Sequence, residues 1–163
     1  MVFPETEILT EYEIKETTIL DIGDIVFDYN GRQGSIIEKN LLDYTGKIYY
    51  LTIDIDNYSF PLHEKSCLLV VEKFENLMNV ICFKKIADII RNTNKFEIAF
   101  PKKVFKKFFK YEENNFNEDK IFLFFKIKKI RATNKTEYFS YRLKTNGIKS
   151  ICCKYYVLGI VNG

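Results

Sequence analysis

Short β-rich segments separated by turn signals are the feature that most constrains this chain, and they follow one another from Asp24 to Val71. The pair Asn30-Gly31 favours the type I′ turn of a hairpin, because both of its central positions require a positive φ. Lys47–Asp54 alternates in the way that a half-buried strand does. The predicted strands are Asp24–Tyr29, Gly34–Lys39, Lys47–Asp54, Tyr58–Phe60 and Cys67–Val71, with a loop at Leu41–Gly46 and a turn at Pro61–Lys65. Tight connections between short strands predict a small closed barrel.

The residues of this region resemble a known family. The run Gly23-Asp24-Ile25-Val26, the segment Asn30–Ile37 with its two glycines, then Tyr49–Asp54 and Pro61–Val71 resemble an SH3-like barrel of the KOW or Tudor-like sort. The resemblance covers Asp21–Glu72, about a third of the chain. It implies a module that contacts RNA, peptides or other proteins.

The second half of the chain mixes helix and strand signals. Lys84–Asn92 and Lys102–Tyr111 are predicted helices, and Pro101 is expected to open the second of them at its favoured first-turn position. Lys120–Arg131, Glu137–Lys144 and Ile148–Val161 are predicted to form an antiparallel meander around a turn at residues 132–136. The predicted fold class is therefore α+β, an N-terminal SH3-like antiparallel β-barrel packed with a C-terminal α+β half that ends in the meander. The predicted domains are residues 1–76 and residues 77–163.

Charge is divided unevenly between these halves. Residues 1–80 carry 15 acidic and 6 basic side chains, or −9, and residues 81–163 carry 7 acidic and 19 basic side chains, or +12. The two values sum to the net charge of +3. Such a division arises where two halves attract each other, or where a basic half faces a polyanion.

The lysines of the second predicted helix carry the polyanion interpretation. Apolar residues fill one arc of this helix, which leaves the lysines projecting from the opposite arc. Lysine suits phosphate contacts and is poor at reading bases, so weakly sequence-specific binding is expected. The predicted residues for binding nucleic acid or a partner are Lys102, Lys103, Lys106, Lys107, Lys110, Lys126, Lys128, Lys129 and Arg131.

No motif for catalysis stands out in the sequence. His63 is the only histidine, and we interpret it as a turn residue with a hydrogen-bonded ring rather than a catalyst or ligand. Asp54 and Asp56 are spaced to share a divalent ion on one strand face, although solvated surface is the commoner role of such a pair. The four cysteines form no C-x-x-C pair and are expected to be reduced. No catalytic residue, metal or cofactor is predicted.

These observations favour a non-catalytic binding protein whose basic half engages nucleic acid or a ribonucleoprotein. A phage-encoded inhibitor of the anti-defence or anti-CRISPR type, acting on a nucleic-acid-handling protein complex, is the first alternative. A metal-dependent nuclease that uses Asp54 and Asp56 is the second. The N-terminus lacks the features of a signal peptide and no apolar run is long enough to span a bilayer, so a cytoplasmic location and no membrane contact are expected.

Overall fold

The computed structural model describes residues 1–75 and 78–160 and is predominantly β, with 56% strand and 12% helix. The strands are β1 (Glu7–Leu9), β2 (Ile14–Glu16), β3 (Ile25–Phe27), β4 (Gln33–Ile53), β5 (Ser59–His63), β6 (Cys67–Glu72), β7 (Val80–Lys85), β8 (Phe96–Pro101), β9 (Asn117–Glu118), β10 (Phe122–Asn146), β11 (Ser150–Cys152) and β12 (Val157–Gly159). The α-helices in this part of the chain are α1 (Ile86–Arg91) and α2 (Lys102–Phe108). The predicted α+β class is wrong, because the helices are single short elements attached to a large antiparallel sheet.

Two long strands, β4 and β10, pair with each other along most of their length. Their antiparallel register runs from Ile53 opposite Ile127 to Ser35 opposite Asn146. The segments 41–46 and 132–136, predicted as a loop and a turn, lie inside these two strands. Their turn-forming residues are accommodated by an irregularity between Lys135 and Tyr138, where a bulge takes up the extra residue. A long ladder therefore replaces two separate hairpins.

The SH3-like assignment of Asp21–Glu72 is wrong for the same reason. The strands of that region do not close on one another, since β4 continues through the expected loop and takes its long partner from the second half. The main sheet has the order β11-β12-β6-β8-β10-β4-β3, with β5 beside β4, β7 beside β6 and β9 beside β10. The predicted meander is also absent from the described residues, because two of its strands are parts of β10.

The proposed boundary between the domains 1–76 and 77–163 falls on residues 76 and 77, which lie outside the described residues. The division remains a proposal. One large cluster of buried side chains receives residues from both halves, including Phe60 and Tyr156, whose rings stack with centroids 3.7 Å apart. In the part of the chain that the structure describes, no helix is long and apolar enough to cross a membrane.

A second, smaller cluster positions the site described below. It consists of the buried residues Phe3, Tyr44 and Ile48, with Tyr50 and Tyr138 packed against it. Phe3 comes from the first residues of the chain, and the others come from β4 and β10. Burying these aromatic side chains fixes the start of the chain against the β4–β10 ribbon.

Candidate active site

The first residues of the chain form an extra strand-like contact with β10. Val2 and Tyr141 exchange two backbone hydrogen bonds: the Val2 N–H donates to the Tyr141 carbonyl over 2.9 Å, and the Tyr141 N–H donates to the Val2 carbonyl over 2.7 Å. In an antiparallel pair, the residue before one partner faces the residue after the other. Met1 therefore lies opposite Arg142.

His63 lies at the end of β5, opposite Ile48 of β4, and is only 5% exposed. Its ring packs between aromatic neighbours, with centroids 6.2 Å from Phe3 and 4.8 Å from Tyr44. Its Nδ1 accepts a hydrogen bond of 3.0 Å from the backbone N–H of Lys65. Because that nitrogen is an acceptor, the neutral ring carries its proton on Nε2.

Burial is the main reason that the pKa of His63 is lowered, and the positive α-amino group of Met1 lowers it further. The pKa of the Met1 α-amino group is itself lowered by burial and by the charge of Arg142. His63 is therefore neutral near pH 7 and acts as a hydrogen-bond donor through Nε2–H. The same environment disfavours a charged ammonium at the Met1 nitrogen.

The end of the described chain reaches the same place. Leu158 of β12 pairs with Leu68 of β6, and the N–H of Ile160 donates to the Lys149 carbonyl over 2.8 Å. A cavity of about 630 Å³ lies between the two ends. Its lining comprises Met1, Val2, His63, Lys65, Ser66, Cys67, Phe83, Arg142, Leu143, Leu158, Gly159 and Ile160. The first residue, residues 158–160 and the only histidine of the chain thus share one cavity, which we call the end-to-end pocket.

The end-to-end pocket has a consistent chemical character. No aspartate or glutamate is among its lining residues, whereas Lys65 and Arg142 are. Ser66 and Cys67 supply a hydroxyl and a thiol, the groups that serve as nucleophiles in acyl transfer. The thioether of Met1 has no proton to lose and cannot take that role. Donors, a cationic rim and nucleophilic side chains are suited to chemistry at a carbonyl group.

The position of His63 differs from the turn expected from the sequence. The predicted turn at Pro61–Lys65 begins within β5, so His63 is held in a strand and its ring is buried in the pocket. Pro61 is tolerated there because it pairs with Tyr50 in a strand bonded to β4 alone. The available signal was that the chain has a single histidine.

The predicted lysine surface is divided among several environments. Lys102 forms an ion pair of 2.7 Å with Glu118, Lys110 pairs with Glu112 at 3.2 Å, and Lys107 lies over the ring of Phe27. Lys102, Lys103 and Lys106 line one cavity, Lys126 lines a second, and Lys128 and Lys129 line a third. Arg131 lies over the ring of Tyr50. Their role in binding nucleic acid, a nucleic-acid-handling complex or any other partner stays a prediction.

Asp54 and Asp56 have separate partners. Asp54 accepts a hydrogen bond of 3.0 Å from the Lys126 N–H, and Asp56 accepts one of 2.6 Å from the Tyr155 hydroxyl. Within residues 1–75 and 78–160, no group of three or more His, Cys, Asp or Glu side chains could hold a metal ion. The two carboxylates thus serve to join the turn after β4 to other segments.

Comparisons with solved structures find inteins among the proteins of similar fold. The chain is similar to a DnaB intein from Synechocystis sp. PCC 6803, at 11% identity and a TM-score of 0.67 over 98% of this chain and 97% of that chain. It is similar to the gp41-1 intein at 14% identity and a TM-score of 0.55, over 98% of this chain and 97% of that chain. It is also similar to the transcription factor IIB Mvu mini-intein at 16% identity and a TM-score of 0.58, over 97% of this chain and 98% of that chain. A scan against protein families and a search of curated proteins find no match.

At these low sequence identities, the structural similarity to inteins establishes the fold of this chain and no more. It overturns the expectation of an SH3-like, non-catalytic nucleic-acid-binding protein, because nearly the whole chain follows a fold found in inteins. The alternatives of an anti-CRISPR type inhibitor and a metal-dependent nuclease are corrected by the same finding. The same finding corrects the expectation that the protein is not an enzyme.

Proposed function

We propose that this protein is a self-processing domain of the intein type, which cleaves a peptide bond of its own chain in the end-to-end pocket. An intein removes itself from a longer chain by autocatalysis. The observation that carries the proposal is the meeting of Met1, residues 158–160 and His63 in one cavity. The likeness to inteins over nearly the entire chain supports it.

The chemistry follows from the groups around the Met1 nitrogen. When residues precede Met1, this nitrogen belongs to a peptide bond whose carbonyl enters the pocket. Neutral His63 donates its Nε2–H to that carbonyl oxygen and makes the carbon more electrophilic, a role that a lowered imidazole pKa favours. A buried, aromatic-packed ring keeps the donor in place.

The cleavage balances as an acyl transfer. The Cys67 thiol, the Ser66 hydroxyl or a water molecule adds to the carbonyl carbon, and the carbonyl oxygen becomes an oxyanion. The bond between that carbon and the Met1 nitrogen then breaks, and the proton released by the nucleophile ends on the nitrogen as a free amine. An ester or thioester formed on Ser66 or Cys67 is hydrolysed by water to a carboxylate.

The test is a precursor in which one reporter domain precedes Met1 and a second, different reporter follows Gly163. Intact mass and gel mobility separate cleavage before Met1, cleavage after the domain, and joining of the reporters. We expect release of the upstream reporter with a free carboxylate at its end. A precursor that stays intact over days at 25 °C would overturn the proposed function.

Variants at position 63 test the role of the ring nitrogen. His63→Phe keeps a ring between Phe3 and Tyr44 but removes the donor, and should lower the cleavage rate at least 10-fold, since one oriented donor contributes about 10²–10³ in related sites. Tyr12→Ala is the control, because Tyr12 is 89% exposed and its ring contributes little to packing. Equal rates for His63→Phe and the unaltered precursor would exclude His63 from the reaction.

A cytoplasmic location is also part of our proposal. The four cysteines are free thiols, and Cys152 and Cys153 are fully buried, which suits a reducing compartment. Labelling Cys67 and Cys82 with a thiol reagent in freshly lysed cells should modify both; resistance to labelling until a reductant is added would argue against this location.

A further inference from the structure

Arg142 is the one arginine that borders the end-to-end pocket, and the local pairing fixes where it lies. The two backbone hydrogen bonds between Val2 and Tyr141 set the register, so that residue 142 faces residue 1. Leu143, the next residue, is buried and also lines the pocket. Arg142 itself is exposed at the rim. Its backbone is thus held by β10, while its guanidinium is reachable from the cavity.

Arg142 has no acidic partner among the described residues. No ion pair within 4.0 Å includes it in that part of the chain, although Lys15, Lys73, Lys84 and several other cations are paired. Among the described residues, no aspartate or glutamate side chain lines the pocket either. A cation held next to a cavity without a counter-charge attracts negative charge from whatever enters the cavity.

We propose that Arg142 contacts the carbonyl oxygen of the peptide bond that ends at the Met1 nitrogen and stabilises the negative charge that develops on it during cleavage. The inference rests on the proposed function and adds a second donor to that of His63. A guanidinium suits this task because its N–H groups are fixed in a plane and stay charged throughout the useful pH range. After burial, the charge of Arg142 is the second cause that lowers the pKa of the Met1 amine, which agrees with the position of Arg142 opposite Met1 in the ladder.

Arg142 is favoured over Lys65, the other cation of the pocket. Lys65 follows β5, and its backbone N–H is already committed to His63 Nδ1. No backbone pairing places Lys65 opposite the first residues of the chain, whereas the hydrogen bonds between Val2 and Tyr141 place Arg142 opposite Met1. Lys144→Ala serves as the matched control, since it removes an exposed positive charge from the same strand, two residues from Arg142, and Lys144 does not line the pocket.

The first experiment measures cleavage rates in the two-reporter precursor. Because Arg142 is exposed to solvent, its effect is expected to be smaller than the roughly 10²–10³ of a buried oxyanion donor, about 10-fold for Arg142→Gln. Arg142→Lys should recover part of the rate by restoring the charge without the planar donor pair. Lys144→Ala should change the rate less than 3-fold. A precursor that cleaves at the same rate with Arg142→Gln as without it would overturn the role of Arg142 alone.

The second experiment does not depend on cleavage. The domain is released from an N-terminal tag so that Met1 is kept, its amines are labelled with ¹³C-methyl groups, and the α-amine is titrated by NMR. Arg142→Gln should raise the pKa of the α-amine, because the repulsion is removed, and Arg142→Lys should leave it near the unaltered value. An identical titration in Arg142→Gln would show that the charge does not reach the Met1 nitrogen and would overturn the inference.

The two proposals fail in different ways. Absence of cleavage in the unaltered precursor overturns the proposed function, and with it the catalytic role of Arg142, whatever the titration shows. Cleavage that is indifferent to Arg142→Gln, or to both Arg142 variants, overturns only the further inference.

Discussion

Burial and one backbone hydrogen bond together determine the protonation state and the tautomer of His63. The ring is 5% exposed, and the Lys65 N–H occupies Nδ1. Protonation would need a charge in a site bounded by Phe3 and Tyr44 and facing the Met1 amine. The sequence of Pro61–Lys65 alone does not predict this arrangement, because it depends on the packing of the first residues of the chain, including Phe3, against His63.

This environment predicts a pH dependence of stability. The pKa of His63 is lowered in the folded protein, so the unfolded chain binds the proton more tightly. The stabilisation is complete above the unfolded pKa, near 6.5, and is lost as the pH falls through the lowered folded value. Urea unfolding at pH 7.5 and pH 5 should show a smaller loss of stability for His63→Gln than for the unaltered protein. Parallel losses in both proteins would contradict the assignment.

Among the elements, the β4–β10 ribbon depends on a close approach near its end. A Cβ at Gly34 would lie 2.6 Å from the Asn146 carbonyl oxygen and 2.6 Å from Ile148 Cγ1. Backbone and a buried side chain cannot both move away, since Ile148 belongs to the main core. Glycine is therefore required at position 34 by packing.

Gly34→Ala should lower the free energy of unfolding by about 1–3 kcal/mol, the usual cost of overpacking. The measurement is urea denaturation followed by circular dichroism. Gly159→Ala is the control, because its nearest contacts at 3.4 Å and beyond are ordinary ones. If both variants lost the same stability, the close approach at Gly34 would not be the cause.

A buried carboxylate, that of Glu72, joins β6, β7 and the segment that leads into β8. Glu72 of β6 accepts from Lys84 of β7 at 3.1 Å and from Lys95, just before β8, at 3.1 Å. The Lys95 hydrogen bond is the largest cause of its lowered pKa, and the bond from Lys84 adds to it. The group therefore stabilises the fold above its unfolded pKa, and this contribution disappears as the pH falls through the lower folded value.

Glu72→Gln should cost roughly 1 kcal/mol at pH 7, because both lysines are partly solvated. The cost should shrink at pH 3, because the carboxyl group is protonated in the unfolded chain there and its ionisation no longer favours the folded state to the same extent. Glu75→Gln, at an exposed position, is the control for adding an amide to this region. A cost that is independent of pH would show that the charge is not what holds the three elements.

At the scale of the whole molecule, the acidic and basic halves are joined by the sheet and by contacts between opposite charges. The β4–β10 ladder crosses from one half to the other, and so do the ion pairs of Glu72 with Lys84 and Lys95 and of Glu7 with Lys154. Shared core residues reinforce this connection. Part of the charge asymmetry is therefore compensated inside the molecule.

We expect one cooperative unfolding transition, because neither half buries its apolar residues without the other. Far-UV circular dichroism and the fluorescence of the 11 tyrosines, in a chain without tryptophan, should give coincident urea curves. Two separated transitions would instead support independent domains at residues 1–76 and 77–163.

The sequence by itself determined the local features of this protein: the β-rich segment at Cys67–Val71, the positive-φ glycine at Gly31, and the apolar arc of α2 with its buried Val104 and Phe105. Each depends on neighbours within a few positions. The tertiary structure alone decided which strands pair and which residues form the pocket. At Leu41–Gly46, local turn preferences were overridden by a ladder to residues about 100 positions away. His63, Arg142 and Met1 come together for the same reason, since long-range hydrogen bonds and shared burial leave no periodic trace in the sequence.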